Sequence, residues 1–216
     1  MRDDEKKIVD DFNNLYHLGT KDDGSIYQRT KWMGVPCYKC PLDMWMYHEI
    51  LNEVKPDLII ETGTFMGGSA LYMANLCDLF GSGEIVTIDI EKFDGRPEHD
   101  RITYITGSSG DKNIIENIFA GRKKNEKVLV ILDSDHSMAH VSKELEAFSP
   151  YVSVGSYMIV EDSNVNGHPI IPNWGEGPYE AIEEFLRDND SFEIDKKREK
   201  YYMTFNPNGY LKKIKV

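Results

Sequence analysis

The sequence lacks the features that mark several large classes of protein. Its 216 residues contain no run near the roughly twenty apolar residues that a membrane span requires, and no apolar signal segment follows the charged N-terminal residues. Positive charge is scarce, because 25 Lys and Arg face 37 Asp and Glu, for a formal net charge of −12. Proteins that bind a nucleic-acid backbone present a basic face instead. We therefore expect a cytoplasmic protein that acts on a small polar molecule, with no membrane or nucleic-acid partner.

Only three cysteines are present, and their arrangement excludes the usual cysteine-based sites. Cys37 and Cys40 form one C-x-x-C pair, Cys77 stands alone, and no second pair completes a four-thiolate zinc site. A thioredoxin-like redox pair would sit at a strand-to-helix turn, whereas this pair lies in an irregular N-terminal segment. We interpret all three as reduced structural thiols.

A glycine-rich segment, residues 58–71, has the order strand, tight turn, helix. Its glycines let backbone N–H groups approach an anion at the start of the helix. Phe65 stands where a G-x-G-x-x-G fingerprint needs glycine, and no Gly-Lys-Ser/Thr follows as in a P-loop, so NAD and ATP are disfavoured. The next predicted strand ends at Asp89, whose carboxylate can accept both hydroxyls of a ribose. This pairing predicts a nucleoside ligand.

Two acidic clusters each follow an apolar run, and together they predict a metal site. Residues 128–132 lead into Asp133, and residues 157–160 lead into Glu161 and Asp162. Apolar runs bounded by charge are typical of buried parallel strands, and ligands gather beyond the carboxyl ends of such strands. Mg²⁺ favours oxygen ligands of this kind. The alternative is that the acids merely end the strands and cap the following helices.

Hydrophobic periodicity predicts a doubly wound α/β fold. We expect a helical and irregular N-terminal appendage over residues 1–41, helical to about residue 18, and one domain over residues 42–216. The predicted strands are 58–62, 85–90, 102–105, 128–132, 156–160, 192–194 and 201–205, and the predicted helices are 42–54, 68–79, 112–120, 138–148 and 178–188.

Several motifs resemble those of Rossmann-like methyltransferases that use S-adenosylmethionine, namely Glu61-x-Gly63, Asp89 and Asp133. The stretches 55–63, 132–136, 160–169 and 177–181 are similar to the cephalosporin hydroxylase family. Despite its name, that family resembles metal-dependent small-molecule and sugar (rhamnosyl) O-methyltransferases. The resemblance implies a mostly parallel sheet with a C-terminal antiparallel edge hairpin, S-adenosylmethionine and Mg²⁺ or Mn²⁺ as cofactors, and a homo-oligomer.

The resemblance also implies residue roles. Asp133, Glu161 and Asp162 would hold the metal, although related catechol-type enzymes carry an amide at the last position. The cofactor would be bound by its methionine amino end at Glu61, by its carboxylate at Gly63, Phe65 and Ser69, by its ribose at Asp89 and by its adenine at Ser109, with Asp133 beside it. For the Gly107–Asp111 segment that contains Ser109, the alternative is a plain turn in which Asp111 caps the next helix.

His136 occupies the position of the general-base lysine in those enzymes. With an ordinary pKa near 6.5 it is partly deprotonated at neutral pH and can accept a hydroxyl proton. The alternatives are that His136 caps the helix after it or helps to bind the metal, with Asp135 in a supporting position. His136 and His140 also have a zinc-like spacing, but the glutamate of H-E-x-x-H is missing.

These expectations combine into an O-methyltransferase in which Asp133 and His136 are catalytic and a metal-bound hydroxyl of a sugar, catechol or hydroxy acid receives the methyl group. The irregular residues 164–178 are expected to recognise this substrate. Residues 31–34 either fold over the same cavity mouth, or Trp32 only packs an N-terminal helix onto the core. Two further alternatives are a non-catalytic nucleoside-binding partner subunit and a component of an oxidative system, as the family's name suggests.

Overall fold

The structure, a computed structural model, describes residues 2–20 and 24–216, so that Met1 and residues 21–23 of the predicted appendage lie outside it. The α-helices of the described part are α1 (Asp3–Leu18), α2 (Pro41–Val54), α3 (Gly68–Phe80), α4 (Lys112–Phe119), α5 (Met138–Phe148) and α6 (Pro178–Asp188). The strands are β1 (Lys31–Trp32), β2 (Val35–Pro36), β3 (Leu58–Thr62), β4 (Glu84–Asp89), β5 (Ile102–Thr106), β6 (Val128–Leu132), β7 (Tyr157–Val160), β8 (Phe192–Ile194) and β9 (Tyr210–Lys213).

Seven strands form the central sheet in the order β5-β4-β3-β6-β7-β9-β8. The pairings from β5 to β7 are parallel, while β9 pairs antiparallel with both β7 and β8. The predicted doubly wound sheet with an antiparallel C-terminal edge is therefore confirmed. The strand order reverses between β3 and β6, and in open α/β sheets such a reversal creates a ligand crevice at the carboxyl ends of the strands.

Side chains alternate between the two faces of the sheet, as strand geometry requires. In β3, Leu58 and Ile60 belong to a core cluster that includes residues of α4, α5 and α6, whereas Ile59 belongs to a cluster with residues of α2 and α3. The same alternation continues through β6, where Leu129 and Ile131 face α2 and α3. Both faces of the sheet are thus covered by helices, which explains the continuous apolar runs.

The prediction of the last strand at Tyr201–Phe205 is wrong, because that strand is β9 at Tyr210–Lys213. The earlier segment is held by a buried carboxylate instead of a neighbouring strand. The backbone N–H of Phe205 donates to Asp43 Oδ2 at 2.7 Å, and Tyr202 has a left-handed backbone with φ of 68°. A turn ending at Gly209 then leads into β9.

The N-terminal helix packs against the C-terminal part of the domain. Val9 and Tyr16 of α1 contact the small apolar cluster of Cys40, Met203 and Phe205, and Asn13 Nδ2 donates to the carbonyl oxygen of Thr204 at 3.3 Å. The division into appendage and domain near residue 41 stays a prediction. Among the described residues, no helix is both long and apolar enough to cross a membrane.

Candidate active site

A cavity of about 790 Å³ opens at the carboxyl edge of the sheet. Its wall is built from the loops after β3, β4, β5, β6 and β7, together with residues 36–39 of the N-terminal segment. Most of the predicted site residues line it, namely Gly63, Phe65, Ser69, Asp89, Ser109, Asp133, His136 and Asp162. Glu61 and Glu161 are buried and do not form part of this wall.

Two glycines allow close backbone contacts beside the cavity. Gly63 has φ of 82°, and a side chain there would place its Cβ 1.8 Å from the carbonyl oxygen of Asp133. A Cβ on Gly68 would lie 2.1 Å from the carbonyl oxygen of Pro36. The β3–α3 turn can therefore contact both the end of β6 and the N-terminal segment, which brings these three parts of the chain together.

Glu61 lies behind the β3–α3 turn. Its carboxylate accepts hydrogen bonds from Ser69 Oγ and, at 2.6 Å, from Thr87 Oγ1. Burial raises the pKa of Glu61, and attraction to Lys39 only partly opposes this rise. Ser69 thus lines the cavity and orients Glu61 at the same time.

Asp89 lines the cavity at the end of β4. Its Oδ2 accepts a hydrogen bond from the backbone N–H of Phe65 at 2.7 Å and another from Arg96 Nη2 at 3.1 Å. The Phe65 ring has its centroid 4.9 Å from that of Tyr38 and 5.5 Å from that of Phe93. A carboxylate with aromatic rings nearby suits the ribose and base of a nucleoside.

Ser109 follows β5 and contacts α5. Its Oγ lies 3.2 Å from His140 Nε2, and the same nitrogen lies 3.4 Å from Oε1 of the fully buried Glu144. Hydrogen bonding to Glu144 raises the pKa of His140. Asp111 also caps α4, because its Oδ1 accepts from the N–H of Asn113 at 2.8 Å. A capping role and a ligand site in this turn are compatible.

Asp133, His136 and Asp162 converge at the ends of β6 and β7. One donor atom from each lies within 4.8 Å of the other two, and His136 Nε2 is 3.1 Å from Asp162 Oδ2. Asp162 has a left-handed backbone, φ 53°, which Asp adopts more readily than most residues. His140 is not a member of this group, so the zinc-like His pair does not converge on it.

The donor chemistry of this group fits a hard divalent cation. Mg²⁺ is usually bound through one or two carboxylates and keeps its other positions for water and substrate oxygens. Asp133 and Asp162 supply two carboxylates on the cavity wall, and carboxylate oxygens suit both Mg²⁺ and Mn²⁺. The third predicted ligand, Glu161, has a different set of contacts.

Glu161 contacts Lys39 and Tyr47. Its Oε1 accepts hydrogen bonds from the Lys39 ammonium and, at 2.6 Å, from the Tyr47 hydroxyl. The same ammonium donates to Asp133 Oδ2, so Lys39 bridges the ends of β6 and β7. The Lys39 side chain is only 5% exposed, and a buried charge is tolerated only when it is well paired.

Lys39, Asp133, His136, Glu161 and Asp162 form what we call the acidic centre. Their charges shift the pKa values of the first four. Burial raises the pKa of Asp133 and Glu161, and Lys39 offsets only part of the rise. Burial alone would lower the pKa of Lys39, but the surrounding carboxylates outweigh it and hold the pKa well above its ordinary value. For His136 too, Asp162 and Asp133 outweigh burial and raise the pKa. The centre is therefore rich in negative charge and stabilises cations.

Asp135 lines the cavity, but its Oδ1 accepts from the N–H of Ser137 at 2.8 Å just before α5. Asp135 therefore makes the side-chain bond at this turn, and no side chain of the described residues caps α5, so the capping alternative for His136 is wrong.

The loop between β7 and α6 covers one side of the acidic centre. Val165, Ile171 and Trp174 line the cavity, and Trp174 Nε1 donates to the carbonyl oxygen of His136 at 3.2 Å. Trp32 does not line the cavity: its Nε1 donates to Asn75 Oδ1 at 2.8 Å and its ring packs on Tyr72. Trp32 therefore packs onto the core at α3, and the expectation that it packs an N-terminal helix stays a prediction.

A single carboxylate anchors this loop to α6. Glu180 Oε1 lies 2.9 Å from Asn166 Nδ2 and 3.0 Å from His168 Nε2, while Oε2 accepts from the N–H of Gly177 at 2.7 Å. Although burial opposes them, these hydrogen bonds lower the pKa of Glu180 to about 2. The carboxylate therefore stays ionised and keeps all three bonds at neutral pH.

Sequence reasoning missed Lys39 and Arg96. Lys39 lies between two cysteines in an irregular segment, and Arg96 lies in the long loop between β4 and β5. Lys39 lies inside the C-x-x-C pair, which we interpret as structural thiols, and Arg96 belongs to no motif or periodic run. Only the contact of Lys39 with Asp133 and Glu161, both more than ninety residues away, reveals its position. Cys37, Cys40 and Cys77 are buried free thiols, as predicted.

Comparison with known proteins identifies the family. Residues 25–214 match the family described as rhamnosyl O-methyltransferase/CmcI. The rhamnosyl O-methyltransferase of Mycobacterium tuberculosis is 44% identical over 196 residues, which cover 86% of this chain and 79% of that protein. The chain belongs to the rhamnosyl O-methyltransferase/CmcI family. The rhamnosyl O-methyltransferase of Mycobacterium leprae, another similar protein, is 43% identical over 194 residues, covering 86% of this chain and 84% of that protein.

Membership of the rhamnosyl O-methyltransferase/CmcI family confirms the resemblance and the prediction of an O-methyltransferase enzyme. An apo structure of CmcI superposes with a TM-score of 0.69 at 20% identity, covering 94% of this chain and 84% of that one. A CmcI structure with Mg and S-adenosylmethionine gives a TM-score of 0.68 at 21% identity, covering 93% and 84%. At these identities the likeness concerns the fold alone. The predicted homo-oligomer and cytoplasmic location stay predictions.

Proposed function

We propose that this protein transfers the methyl group of S-adenosylmethionine to a hydroxyl of a rhamnose-type sugar, with the help of a divalent metal ion. The observation that carries the proposal is the convergence of Asp133, His136 and Asp162 at one end of a cavity whose other end suits a nucleoside. The rhamnosyl O-methyltransferases that share 44% and 43% of their aligned residues with this chain support the sugar as the acceptor.

The cofactor is proposed to bind from Asp89 to Glu61, along the carboxyl ends of β3 and β4. Asp89 accepts the ribose hydroxyls, and Ser109 contacts the adenine from the end of β5. The methionine carboxylate is proposed to lie at the Gly63–Phe65 turn beside the Ser69 hydroxyl, because that turn opens the N-terminus of α3. The N–H groups of Gly63 and Phe65 themselves donate to the carbonyl oxygen of Ile88 and to Asp89. Glu61 acts on the amino group through Ser69 or a water molecule, since it is not exposed to the cavity.

Asp133 and Asp162 are proposed to hold the metal, and His136 lies beside them. Glu161 stays the third proposed carboxylate ligand, although its Oε1 accepts hydrogen bonds from Lys39 and Tyr47 in this structure. These residues would hold a divalent ion, which would supply Lewis-acid activation of the sugar hydroxyl. Asp133 lies beside both the proposed cofactor and metal positions, so it aligns the two reactants. His136 is held by Asp162 and is proposed to accept the hydroxyl proton, since its ring nitrogen belongs to the group with Asp133 and Asp162.

The acceptor is proposed to bind under the β7–α6 loop. Trp174, Val165 and Ile171 offer an apolar wall near the acidic centre, and the apolar face of a sugar ring can pack on an aromatic side chain. Two adjacent hydroxyls of the sugar reach the centre together, which makes a vicinal diol the preferred acceptor.

A product assay tests the proposal. The full chain, with S-adenosylmethionine and Mg²⁺, is incubated with rhamnosides that have free vicinal hydroxyls and with matched rhamnosides in which the diol is blocked. We expect one added methyl group by mass spectrometry, and an equal amount of S-adenosylhomocysteine, only with the free diol. Cofactor binding without transfer to any sugar, catechol or hydroxy acid would favour a nucleoside-binding subunit instead.

Weakening the anchor of the β7–α6 loop should weaken binding of the sugar more than binding of the cofactor. Glu180→Gln removes a charged partner of three donors, and hydrogen bonds to charged groups are worth about 1.5–3 kcal/mol each. We expect the KM for the sugar to rise severalfold and Tm to fall by about 3–8 °C, with an unchanged Kd for S-adenosylhomocysteine. Glu184→Gln, which alters an exposed residue of the same helix, is the control. An unchanged KM for the sugar would show that the β7–α6 loop does not contribute to acceptor binding.

A further inference from the structure

Among the described residues, Lys39 is the most deeply buried cation at the cavity, and its position is fixed by the backbone around it. The N–H of Cys37 donates to the carbonyl oxygen of Thr30 at 3.0 Å, and the N–H of Lys39 donates to that of Cys37 at 2.9 Å. Because Gly68 has no side chain, Pro36 can lie against α3. The segment therefore directs the Lys39 side chain into the acidic centre, where its ammonium contacts Asp133 and Glu161.

These contacts overlap with the proposed metal site. Asp133 is both the hydrogen-bond partner of Lys39 and a member of the group with His136 and Asp162. Two cations that share one carboxylate repel each other, and this repulsion is strong where burial excludes water. The side chains of Lys39 and Glu161 are only 5% and 4% exposed, so solvent screens the ammonium poorly.

We propose that Lys39 is an internal counter-cation of the metal centre, which neutralises Asp133 and Glu161 in the metal-free protein and competes with the divalent ion for Asp133. The proposal rests on the metal site of the proposed function. It assigns two effects to one side chain: the fold stays stable without metal, and the affinity for metal is held below the value that the carboxylates alone would give.

A purely structural ion pair makes a different prediction. If Lys39 only held β6 and β7 together, its removal would disorder the ligands and weaken metal binding. If Lys39 competes with the ion, its removal should strengthen metal binding, even though the metal-free protein becomes less stable because buried carboxylates lose their partner. The direction of the change in metal affinity therefore separates the two roles.

The test measures metal binding by the full chain, stripped of metal, without S-adenosylmethionine or sugar. Calorimetry with Mg²⁺ and electron paramagnetic resonance with Mn²⁺ give the Kd for wild type and Lys39→Met. We expect the variant to bind at least about tenfold more tightly, and its Tm to rise more than that of wild type on adding Mg²⁺. Equal or weaker binding by a folded variant would overturn the proposal.

Two variants serve as controls and one as a reserve. Lys143→Met removes the same charge from an exposed position and should leave the Kd unchanged, and Lys39→Arg keeps the charge and should stay close to wild type. If Lys39→Met is unfolded without metal, folding on addition of Mg²⁺ supports the proposal, and Lys39→Gln is measured in its place. Failure to fold at saturating Mg²⁺, together with equal or weaker binding by Lys39→Gln, contradicts it. A wild type that binds no metal would refute the metal site itself, whereas metal binding with an unchanged Kd in the variants refutes only the role of Lys39.

Discussion

Replacing Asp133 and Asp162 together by alanine should lower the rate of methyl transfer by about a thousandfold or more. Both carboxylates belong to the group that fits the metal, and Asp133 also lies beside the proposed cofactor position. The other proposed cofactor contacts lie at the ends of β3, β4 and β5, so the Kd for S-adenosylhomocysteine should stay within a few-fold of wild type. Initial rates and calorimetry on the same preparations measure the two effects.

The control for this double variant is Asp100→Ala with Asp188→Ala, which removes the same charge from two exposed positions. Its rate and its response to metal should equal those of wild type. In the Asp133 and Asp162 variant, millimolar Mg²⁺ should no longer raise Tm, because stabilisation by a ligand requires that the folded state bind it. A double variant that retains most of its methyl transfer would remove these carboxylates from the mechanism.

Replacing Asp89 by alanine should weaken binding of S-adenosylhomocysteine by about ten- to a hundredfold, since a charged hydrogen-bond partner is commonly worth about 1.5–3 kcal/mol. The loss has two parts in this structure, because Asp89 is proposed to accept the ribose hydroxyls and also holds the Phe65 N–H and Arg96. Asp89→Asn keeps one acceptor oxygen and should cause the smaller loss. Calorimetry with the demethylated cofactor measures both.

Asp94→Ala is the matched control for Asp89, since Asp94 is exposed in the loop that follows β4. It should bind S-adenosylhomocysteine like wild type. All three variants, Asp89→Ala, Asp89→Asn and Asp94→Ala, should respond to Mg²⁺ as wild type does. An unchanged Kd in Asp89→Ala, or a preference of wild type for NAD, would contradict the assignment of the nucleoside end.

The sequence predicted those parts of the fold that rest on local pattern. Strands β3 and β6 have the predicted bounds because each contains an apolar run and stops at a clear signal, Gly63 after β3 and Asp133 after β6. The last strand was misplaced because Tyr201–Phe205 has a strand-like composition, while its backbone is bonded to the distant Asp43. A pattern of neighbouring residues contains no information about such a partner.

The same distinction applies to the site. Asp133 and Asp162 could be expected near each other because each follows a strand and parallel strands end at one edge of the sheet. The orientation of Glu161 towards Lys39 and Tyr47 could not, because it depends on residues 114 or more positions away. In an enzyme with an N-terminal segment that returns to the cavity, long-range contacts of this kind determine which carboxylate meets which cation.

Metal dependence of methyl transfer tests the central claim most directly. The full chain is stripped with EDTA, its metal content is measured, and initial rates on a rhamnoside acceptor are followed while Mg²⁺ or Mn²⁺ is added back at saturating S-adenosylmethionine. The account predicts negligible transfer by the stripped protein and full recovery with either ion, with the double variant of Asp133 and Asp162 inactive throughout. An undiminished rate in stripped protein that contains far less than one metal ion per chain would contradict it.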